Sequence, residues 1–341
     1  MVAAQRRTRS AERRAEYISR ATRRLPGLLL TALAAVALTG CRSLSWSAPI
    51  TVDSGHQLSG VACPSASVCS AVDNVGQEVT FDPTSASAPS PPTTIDGGQS
   101  LTAVACPSAS QCTAVDAIGQ MMTFNPAAVG TPTVYPIDNY WSLIVACPST
   151  SQCTTADANQ GEQTFPPDAP GTPTLHGLGG GGVRERGLAC PSTARCVAVD
   201  DSGEETTWDP TALAFTFTTT GIDGSNVLNG VACPLANQCT AVDGNGQEVT
   251  FDPSAPATST VTRVVDGHPL VAIACPANNQ CTAIDDAGNA IEGDPTSSDP
   301  WRIEPIAGAK VPTAVSCSSN TQCVVVDSAG NSFVGTGPSF P

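Results

Sequence analysis

Short apolar runs, separated by clusters of Gly, Pro, Asp and Asn, recur along most of the chain. In one stretch, residues 228–233, 239–243, 246–251 and 259–266 have the apolar patterning of β-strands, and we name these predicted strands A, B, C and D. A five-residue loop at 234–238 would connect A to B, and an Asp-Gly-Asn-Gly turn at 243–246 would connect B to C. The pattern predicts a small antiparallel sheet of four strands.

The same pattern occurs seven times, and every copy contains the motif Cys-x5-Cys-x3-Asp. The first cysteines of successive copies are 41 to 43 residues apart. Four strands in each repeat of this length are typical of a propeller blade. The repeat therefore predicts an all-β fold, a seven-bladed β-propeller with four antiparallel strands per blade. The cysteines of the seven copies are Cys63 and Cys69, Cys106 and Cys112, Cys147 and Cys153, Cys190 and Cys196, Cys233 and Cys239, Cys275 and Cys281, and Cys317 and Cys323.

The seventh copy contains strands A, B and C but no strand D. A spare D-like segment begins at Trp46 and parallels the D segment that begins at Trp301. If the N-terminal segment completes the last blade, the ring closes and no open sheet edge remains between the first and last blades. We therefore predict a propeller over residues 46–341 whose last blade is closed by the N-terminal strand.

The repeat unit Cys-Pro-Ser-x-x-x-Cys-x-Ala-Val-Asp-x-x-Gly resembles repeats of uncharacterised bacterial secreted proteins, grouped with the sialidase-type and WD40-like propellers. The resemblance covers residues 58–335 and implies a propeller. The Asp-box of sialidases is only distantly similar, because Gly203 and Trp208 are five residues apart where the Asp-box has three. The resemblance therefore gives no support to a glycosidase activity.

The N-terminal forty residues have the order of a secretory signal, with an Arg-rich stretch followed by an apolar run at 28–38. The sequence Leu38-Thr39-Gly40-Cys41 resembles the lipobox of bacterial lipoproteins, which implies a lipidated Cys41. This interpretation predicts a lipoprotein signal peptide at 1–40, a lipidated anchor and linker at 41–45, and an extracytoplasmic protein anchored to the cell membrane by lipid. The alternative is an ordinary secretory signal in which Cys41 merely lies near the cleavage site.

The net charge of the chain after the predicted signal peptide limits the kinds of partner that it can bind. Seven basic and 28 acidic residues remain from Cys41 onward, a formal charge of −21. A surface so acidic repels the phosphate backbone, so no nucleic-acid partner is expected. Fifteen cysteines suit an oxidising compartment, and with Cys41 set apart the other fourteen are expected to form a local disulfide in each repeat. A zinc site built from these thiolates is the weaker alternative.

Twelve aspartates are predicted to lie on one rim, because B–C turns and D–A loops share one end of every blade. We call this end the acidic rim. We expect each aspartate to cap its own turn, and the ring as a whole to attract cations, such as Ca²⁺, or a basic partner surface. The twelve are Asp53, Asp73, Asp96, Asp116, Asp138, Asp157, Asp200, Asp223, Asp243, Asp266, Asp285 and Asp327.

A break in the repeat at 178–186 places two basic residues on this rim. Arg184 and Arg186 would either pair with neighbouring aspartates or hold a ligand carboxylate. Aromatic residues occupy the corresponding loop one blade earlier, so this sector is the candidate ligand-binding site. The candidate residues are Tyr140, Trp141, Asp157, His176, Arg184, Arg186 and Asp200.

The sequence favours a binding or interaction scaffold over an enzyme. It contains only three histidines, interpreted as loop residues without a role, and no Gly-rich phosphate loop. We expect no catalytic residues, no cofactor and a monomer that binds a protein or a cell-envelope glycan. The alternative is a glycan-processing hydrolase or lyase that uses two rim carboxylates. A structural spacer without a specific ligand is a third possibility.

Overall fold

The computed structural model describes residues 43–85, 87–138, 144–179 and 183–337. Within these residues the chain forms seven antiparallel sheets and one short 3-10 helix, Pro256–Thr258. No helix among them is long and apolar enough to cross a membrane. The predicted signal peptide and Cys41 lie outside the described residues. The prediction of an all-β, seven-bladed propeller with four strands per blade is confirmed.

The strands are numbered in chain order. They are β1 (Ser45–Trp46), β2 (Ile50–Thr51), β3 (Leu58–Ser65), β4 (Val68–Asp73), β5 (Gln77–Phe81), β6 (Thr93–Thr94), β7 (Leu101–Ser108), β8 (Gln111–Asp116), β9 (Gln120–Phe124), β10 (Val134–Pro136), β11 (Ile144–Ser149), β12 (Gln152–Ala156), β13 (Gly161–Phe165), β14 (His176–Gly177), β15 (Glu185–Ser192), β16 (Arg195–Asp200), β17 (Glu204–Trp208), β18 (Phe217–Gly221), β19 (Leu228–Leu235), β20 (Gln238–Asp243), β21 (Gln247–Phe251), β22 (Thr260–Arg263), β23 (Leu270–Ala277), β24 (Gln280–Asp285), β25 (Asn289–Gly293), β26 (Arg302–Pro305), β27 (Pro312–Ser319), β28 (Gln322–Asp327) and β29 (Asn331–Thr336).

Blades one to six are consecutive groups of four strands, beginning with β3 and ending with β26. In each blade the chain runs A, B, C, D from the inside outward. The A strands β3, β7, β11, β15, β19, β23 and β27 each contact the next, and β27 contacts β3. The ring of innermost strands is therefore closed around a central channel.

Blade seven is completed by the N-terminal segment, as predicted. Its strands β27, β28 and β29 are followed outward by β1 and β2, which both pair with β29. Ser45 lies opposite Thr336, and Ile50 lies opposite Ser332. Strand D of this blade is thus two short pieces, because residues 47–49 interrupt the pairing.

The connection between strands A and B is shorter than predicted. The expected five-residue loop at 234–238 is wrong, because β19 extends to Leu235 and β20 starts at Gln238, directly opposite it. An irregularity in the pairing between Ala232 and Leu235 accommodates Pro234, which has no N–H to donate. The Cys233–Cys239 disulfide consequently joins two neighbouring strands, with 4.1 Å between the Cα atoms. All seven predicted local disulfides are present.

The core lies between neighbouring blades, and a large aromatic side chain fills it at the same position of every blade. Five blades supply this residue themselves, and all five side chains are buried: Phe81, Phe124, Phe165, Trp208 and Phe251. Blades six and seven have Gly293 and Gly335 at the same position. There the indole rings of Trp301, directly before the outermost strand β26, and of Trp46, in the outermost strand β1, lie where a side chain on the glycine would be. A tryptophan in or directly before strand D therefore replaces the missing aromatic of strand C.

Candidate functional site

The aspartate that ends each B strand caps the turn that follows. In blade five, Oδ1 of Asp243 accepts hydrogen bonds from the backbone N–H groups of Asn245 and Gln247, at 2.9 and 2.6 Å. The equivalent oxygens of the other six repeats accept the same two bonds. The expected turn-capping role therefore applies to all seven, including Asp157 and Asp200 of the candidate site.

These caps do not form an exposed acidic ring. Eleven of the twelve rim aspartates are buried, and only Asp266 points into solvent, with 93% of its side chain exposed. Seven of the buried aspartates are the turn caps, and the other four, Asp53, Asp96, Asp138 and Asp223, each lie beside one of these caps at a seam between two blades. The acidic rim therefore presents much less surface charge than the sequence suggested, and its negative charge lies within the seams between blades.

At four of these seams a second buried aspartate faces the cap. Asp53 faces Asp73, Asp96 faces Asp116, Asp138 faces Asp157, and Asp223 faces Asp243. Burial, aided by the charge of the partner, raises the pKa values of Asp96, Asp157 and Asp223 to about 6. These three aspartates therefore hold a proton more readily than an exposed aspartate does.

Arg184 and Arg186 lie at the mouth of the central channel. They border a pocket of about 410 Å³ on the acidic rim, a size typical of ligand sites. Its walls come mainly from the beginnings of the innermost strands of five consecutive blades, two to six, and Ala158 in the B–C turn of blade three adds to them. The residues that these five strands contribute include Thr102, Ile144, Glu185, Asn229 and Val271. The pocket is therefore shared by most of the ring and belongs to no single blade.

Glu185 is the residue that distinguishes this pocket, and the sequence analysis did not single it out. Its side chain is only 5% exposed, and within the described part of the chain neither carboxylate oxygen has a hydrogen-bond partner. Burial is the main reason that its pKa is raised to about 8, and the charges of Asp200 and Asp157 add to the effect. Glu185 is consequently protonated at neutral pH.

A signal for Glu185 was present in the repeat. Glu185 lies opposite Asp200, and the residue opposite the cap in four other blades is a fully buried leucine. These leucines are Leu58, Leu101, Leu228 and Leu270. A carboxyl at a position where the other repeats bury an aliphatic side chain lowers stability, so it indicates a role other than packing.

The two arginines flank this buried carboxyl and are exposed. Among the described residues, neither guanidinium lies within 4.0 Å of a carboxylate, so the alternative in which they pair with rim aspartates has no support there. Asp201 instead accepts a hydrogen bond from the backbone N–H of Arg184, at 3.0 Å. Within the described residues, both guanidinium groups are thus exposed and have no carboxylate partner.

The other candidate residues are distributed differently. His176 lies on the outermost strand of blade three, with Nδ1 2.7 Å from Glu162 and its ring stacked on Phe215 at 4.2 Å. It does not line the pocket at the channel mouth. Tyr140 and Trp141 lie outside the described residues. The structure therefore brings Arg184 and Arg186 together with Glu185, and places Asp157 and Asp200 close enough for their charges to act on it.

No family model matches the sequence, and no curated protein sequence matches it. Among solved structures, the chain is similar to YCF48 from Cyanidioschyzon merolae, with a TM-score of 0.66 and 10% identity, over 86% of this chain and 98% of that one. It is also similar to a structure described as YCF48 bound to D1 peptide, with a TM-score of 0.66 and 12% identity, over 88% of this chain and 100% of that one. At these identities the similarity shows a shared propeller fold alone.

Proposed function

We propose that this chain is a protein-binding propeller that holds a peptide segment of a partner in the pocket at the mouth of its central channel. The observation that carries the proposal is the buried, unpartnered Glu185 between two exposed arginines that line the same pocket. Such a carboxyl is costly to the fold and is compensated when a ligand provides its missing partner.

The charges of the pocket define the ligand. Arg184 and Arg186 suit an acidic side chain or a terminal carboxylate, because a guanidinium donates two parallel hydrogen bonds to such a group. Glu185 suits a lysine, an arginine or an amino terminus that reaches its buried carboxyl. A cation at this depth lowers the pKa of Glu185, so the carboxyl loses its proton as the ligand binds. We expect a segment with one acidic and one basic group a few residues apart.

The fold is suited to this task. One solved YCF48 propeller is described as bound to D1 peptide, so a propeller of this shape accommodates a peptide in that protein. A glycan would satisfy the arginines less well, because neutral sugar hydroxyls supply neither the anion nor the cation that the pocket matches. A peptide is therefore the ligand class that we favour.

The N-terminal sequence supports a place of action outside the cytoplasm. The apolar run at 28–38 and the segment Leu38-Thr39-Gly40-Cys41 support a lipid on Cys41, which would hold the propeller on the outer side of the cell membrane. Seven disulfides support an oxidising compartment. We therefore propose that the protein is a monomer held at the membrane by one lipidated residue, Cys41.

Selection from a displayed peptide library tests the ligand class. The soluble variant Cys41→Ser would be the bait at pH 7, and the selected peptides would then be measured by calorimetry. We expect peptides that combine an acidic and a basic residue, and a loss of affinity on the order of tenfold or more in the double variant Arg184→Ala, Arg186→Ala.

Arg195→Ala is the matched control, since Arg195 begins strand β16 at the opposite rim and bonds to Ala236 and Ser254 there. Equal affinities in both arginine variants would refute the pocket as the binding site. Binding of purified envelope glycan in place of any peptide would refute the ligand class.

Proton release gives an independent readout. Calorimetry at pH 7 in buffers of different ionisation enthalpy should show that about one proton leaves per peptide bound, because Glu185 starts protonated and ends charged. The variant Glu185→Gln should show none. Equal proton release in both proteins would mean that the basic group of the peptide does not reach Glu185.

One observation favours a second candidate, a glycan hydrolase. The carboxyl of Glu185 keeps its proton at neutral pH, which is the state required of a general acid. The second catalytic carboxylate would have to be Asp157 or Asp200. Both are buried and accept hydrogen bonds from turn amides, which argues against that role. Hydrolysis of envelope glycans by the wild type, abolished in Glu185→Gln, would replace the binding proposal.

A further inference from the structure

A second cluster of ionisable side chains lies at the seam where the N-terminal segment meets blade one. Nδ1 of His56 lies 3.2 Å from Oδ2 of Asp53 and 3.6 Å from Oδ2 of Asp73. One ligand atom from each of the three residues lies within 4.8 Å of the others. We propose that Asp53, His56 and Asp73 bind a Zn²⁺ ion that links blade seven to blade one.

The two distances from His56 fit a tetrahedral ion. Zinc binds imidazole nitrogen and carboxylate oxygen at about 2.0–2.2 Å, so two ligand atoms of a tetrahedral site lie about 3.3–3.6 Å apart. The two distances from His56, 3.2 and 3.6 Å, are close to this range. His56 is 37% exposed at its side chain, which leaves a route from solvent for the ion and for water as a fourth ligand.

The hydrogen bonds at the seam leave room for a cation. Oδ1 of Asp73 accepts the two N–H groups of its turn, at 3.0 and 2.7 Å, whereas its buried Oδ2 has no hydrogen-bond partner in the described chain. Nδ1 of His56 is about equally far from both oxygens of Asp53, at 3.3 and 3.2 Å. A single N–H cannot satisfy three oxygens, so the hydrogen bonds of His56 leave carboxylate oxygens at this seam without a donor. A metal ion bound to all three side chains would satisfy these oxygens together.

The other described seams lack this combination. Gln99 occupies the position of His56 beside Asp96, and Asn226 occupies it beside Asp223, where its amide donates to the carboxylate at 3.2 Å. His268 is the equivalent histidine one seam further on, but Val265 replaces the first aspartate there. Its Nδ1 meets an exposed carboxylate, that of Asp286, at 3.1 Å. These positions supply natural controls within the same chain.

A metal at this place would act on ring closure. The backbone N–H of Asp53 donates to the carbonyl of Gly330 in blade seven, at 3.0 Å, while Asp73 belongs to blade one. The two carboxylates approach one another only when the N-terminal segment is docked. An ion that requires both therefore binds the closed ring and stabilises it in proportion to its concentration.

Calorimetric titration with ZnCl₂ tests the site, with the soluble Cys41→Ser protein produced without a polyhistidine tag. We expect one ion per chain, a melting temperature that rises with Zn²⁺ and falls again with chelator, and an affinity reduced by at least on the order of tenfold in His56→Ala. His268→Ala should bind as the parent does. Because His56 is partly exposed, its replacement by alanine should leave the fold intact, and Asp73→Asn provides a second variant.

Spectroscopy adds a readout that an ion pair would not produce. Co²⁺ in place of Zn²⁺ should give the intense visible absorption of tetrahedral coordination, absent in His56→Ala. The proposal is overturned if Zn²⁺ does not bind, if binding is unchanged in His56→Ala, or if Ca²⁺ binds there in preference. In the first case His56 serves only as an ion-pair partner of the two carboxylates.

Discussion

Replacement of Glu185 by leucine restores the residue that four other blades have at this position. The variant Glu185→Leu should be more stable than the wild type, and the gain should grow with pH. The reason is that the buried carboxyl loses its proton only with difficulty in the folded protein, whereas in the unfolded chain it ionises at its ordinary pKa of 4.5.

The magnitude follows from the two pKa values. Because the folded pKa is raised, to about 8, the folded state holds the proton more tightly, and stability falls as pH rises from 4.5 through 8. Between pH 5 and pH 8 this group alone should cost about 3 kcal/mol. The leucine variant lacks the loss and adds about 2 kcal/mol of apolar burial at every pH.

Urea unfolding at several pH values between 5 and 8 measures the effect. The wild type contains other carboxyls whose pKa values burial raises, such as Glu78 and Glu205 at about 7, so its absolute pH slope includes them. The difference between wild type and Glu185→Leu isolates Glu185. Glu185→Gln is the control for shape, since its uncharged amide should remove the pH dependence without the apolar gain.

A difference between wild type and Glu185→Leu that stays constant from pH 5 to pH 8 would refute the reasoning. It would mean that the carboxyl reaches water or a partner in solution. If Glu185→Leu is stabilised as expected but still binds the peptide with full affinity, the stability argument holds and the proposed binding role of Glu185 is wrong.

Three further predictions concern the ring itself. Asp223→Asn should raise the free energy of unfolding at pH 8 by about 1 kcal/mol and change it little at pH 4, because the new amide donates to the facing carboxylate at every pH. The figure is reduced from the full pKa shift to allow for screening by water. In the same urea unfolding experiment Asp266→Asn, at an exposed position of the same rim, should leave the free energy of unfolding unchanged at both pH values. Gly246→Ala should lower the melting temperature more than Gly267→Ala. Both glycines have positive φ, but only at Gly246 would the added Cβ collide with a backbone carbonyl. Equal losses in thermal unfolding would contradict this close approach. Deletion of residues 42–57 should lower the melting temperature sharply, since it removes strand D of blade seven and opens the ring. An unchanged transition would show that the ring closes without this segment.

The repeat made the fold predictable. Seven copies of Cys-x5-Cys-x3-Asp specify the number of blades, and the segment beginning at Trp46 specifies the closure, because each blade is built from its own local pattern. The exchange between Gly335 and the indole of Trp46 was also encoded in the sequence as a missing aromatic in one strand and an added tryptophan in another. The two-residue A–B turn was not predicted, since strand pairing continues past a proline through an irregularity.

The candidate site was only partly predictable. Arg184 and Arg186 could be found from the break in the repeat, whereas the importance of Glu185 depended on an alignment of the blades by their strand register. His56 looked like an unremarkable loop residue, because its partner Asp73 lies seventeen positions away in another turn.

The sequence by itself therefore determined the ring, its closure and its disulfides, all of which follow from patterns within a blade or between the two ends of the chain. Only the tertiary structure decided which carboxylates are buried, which of them face one another across a seam, and where a pocket opens on the axis. The physical reason is that burial and charge pairing depend on the neighbouring blade that excludes water from a side chain. The repeat pattern within one blade does not show which side chains of the next blade will cover it, and packing of the blades decides this.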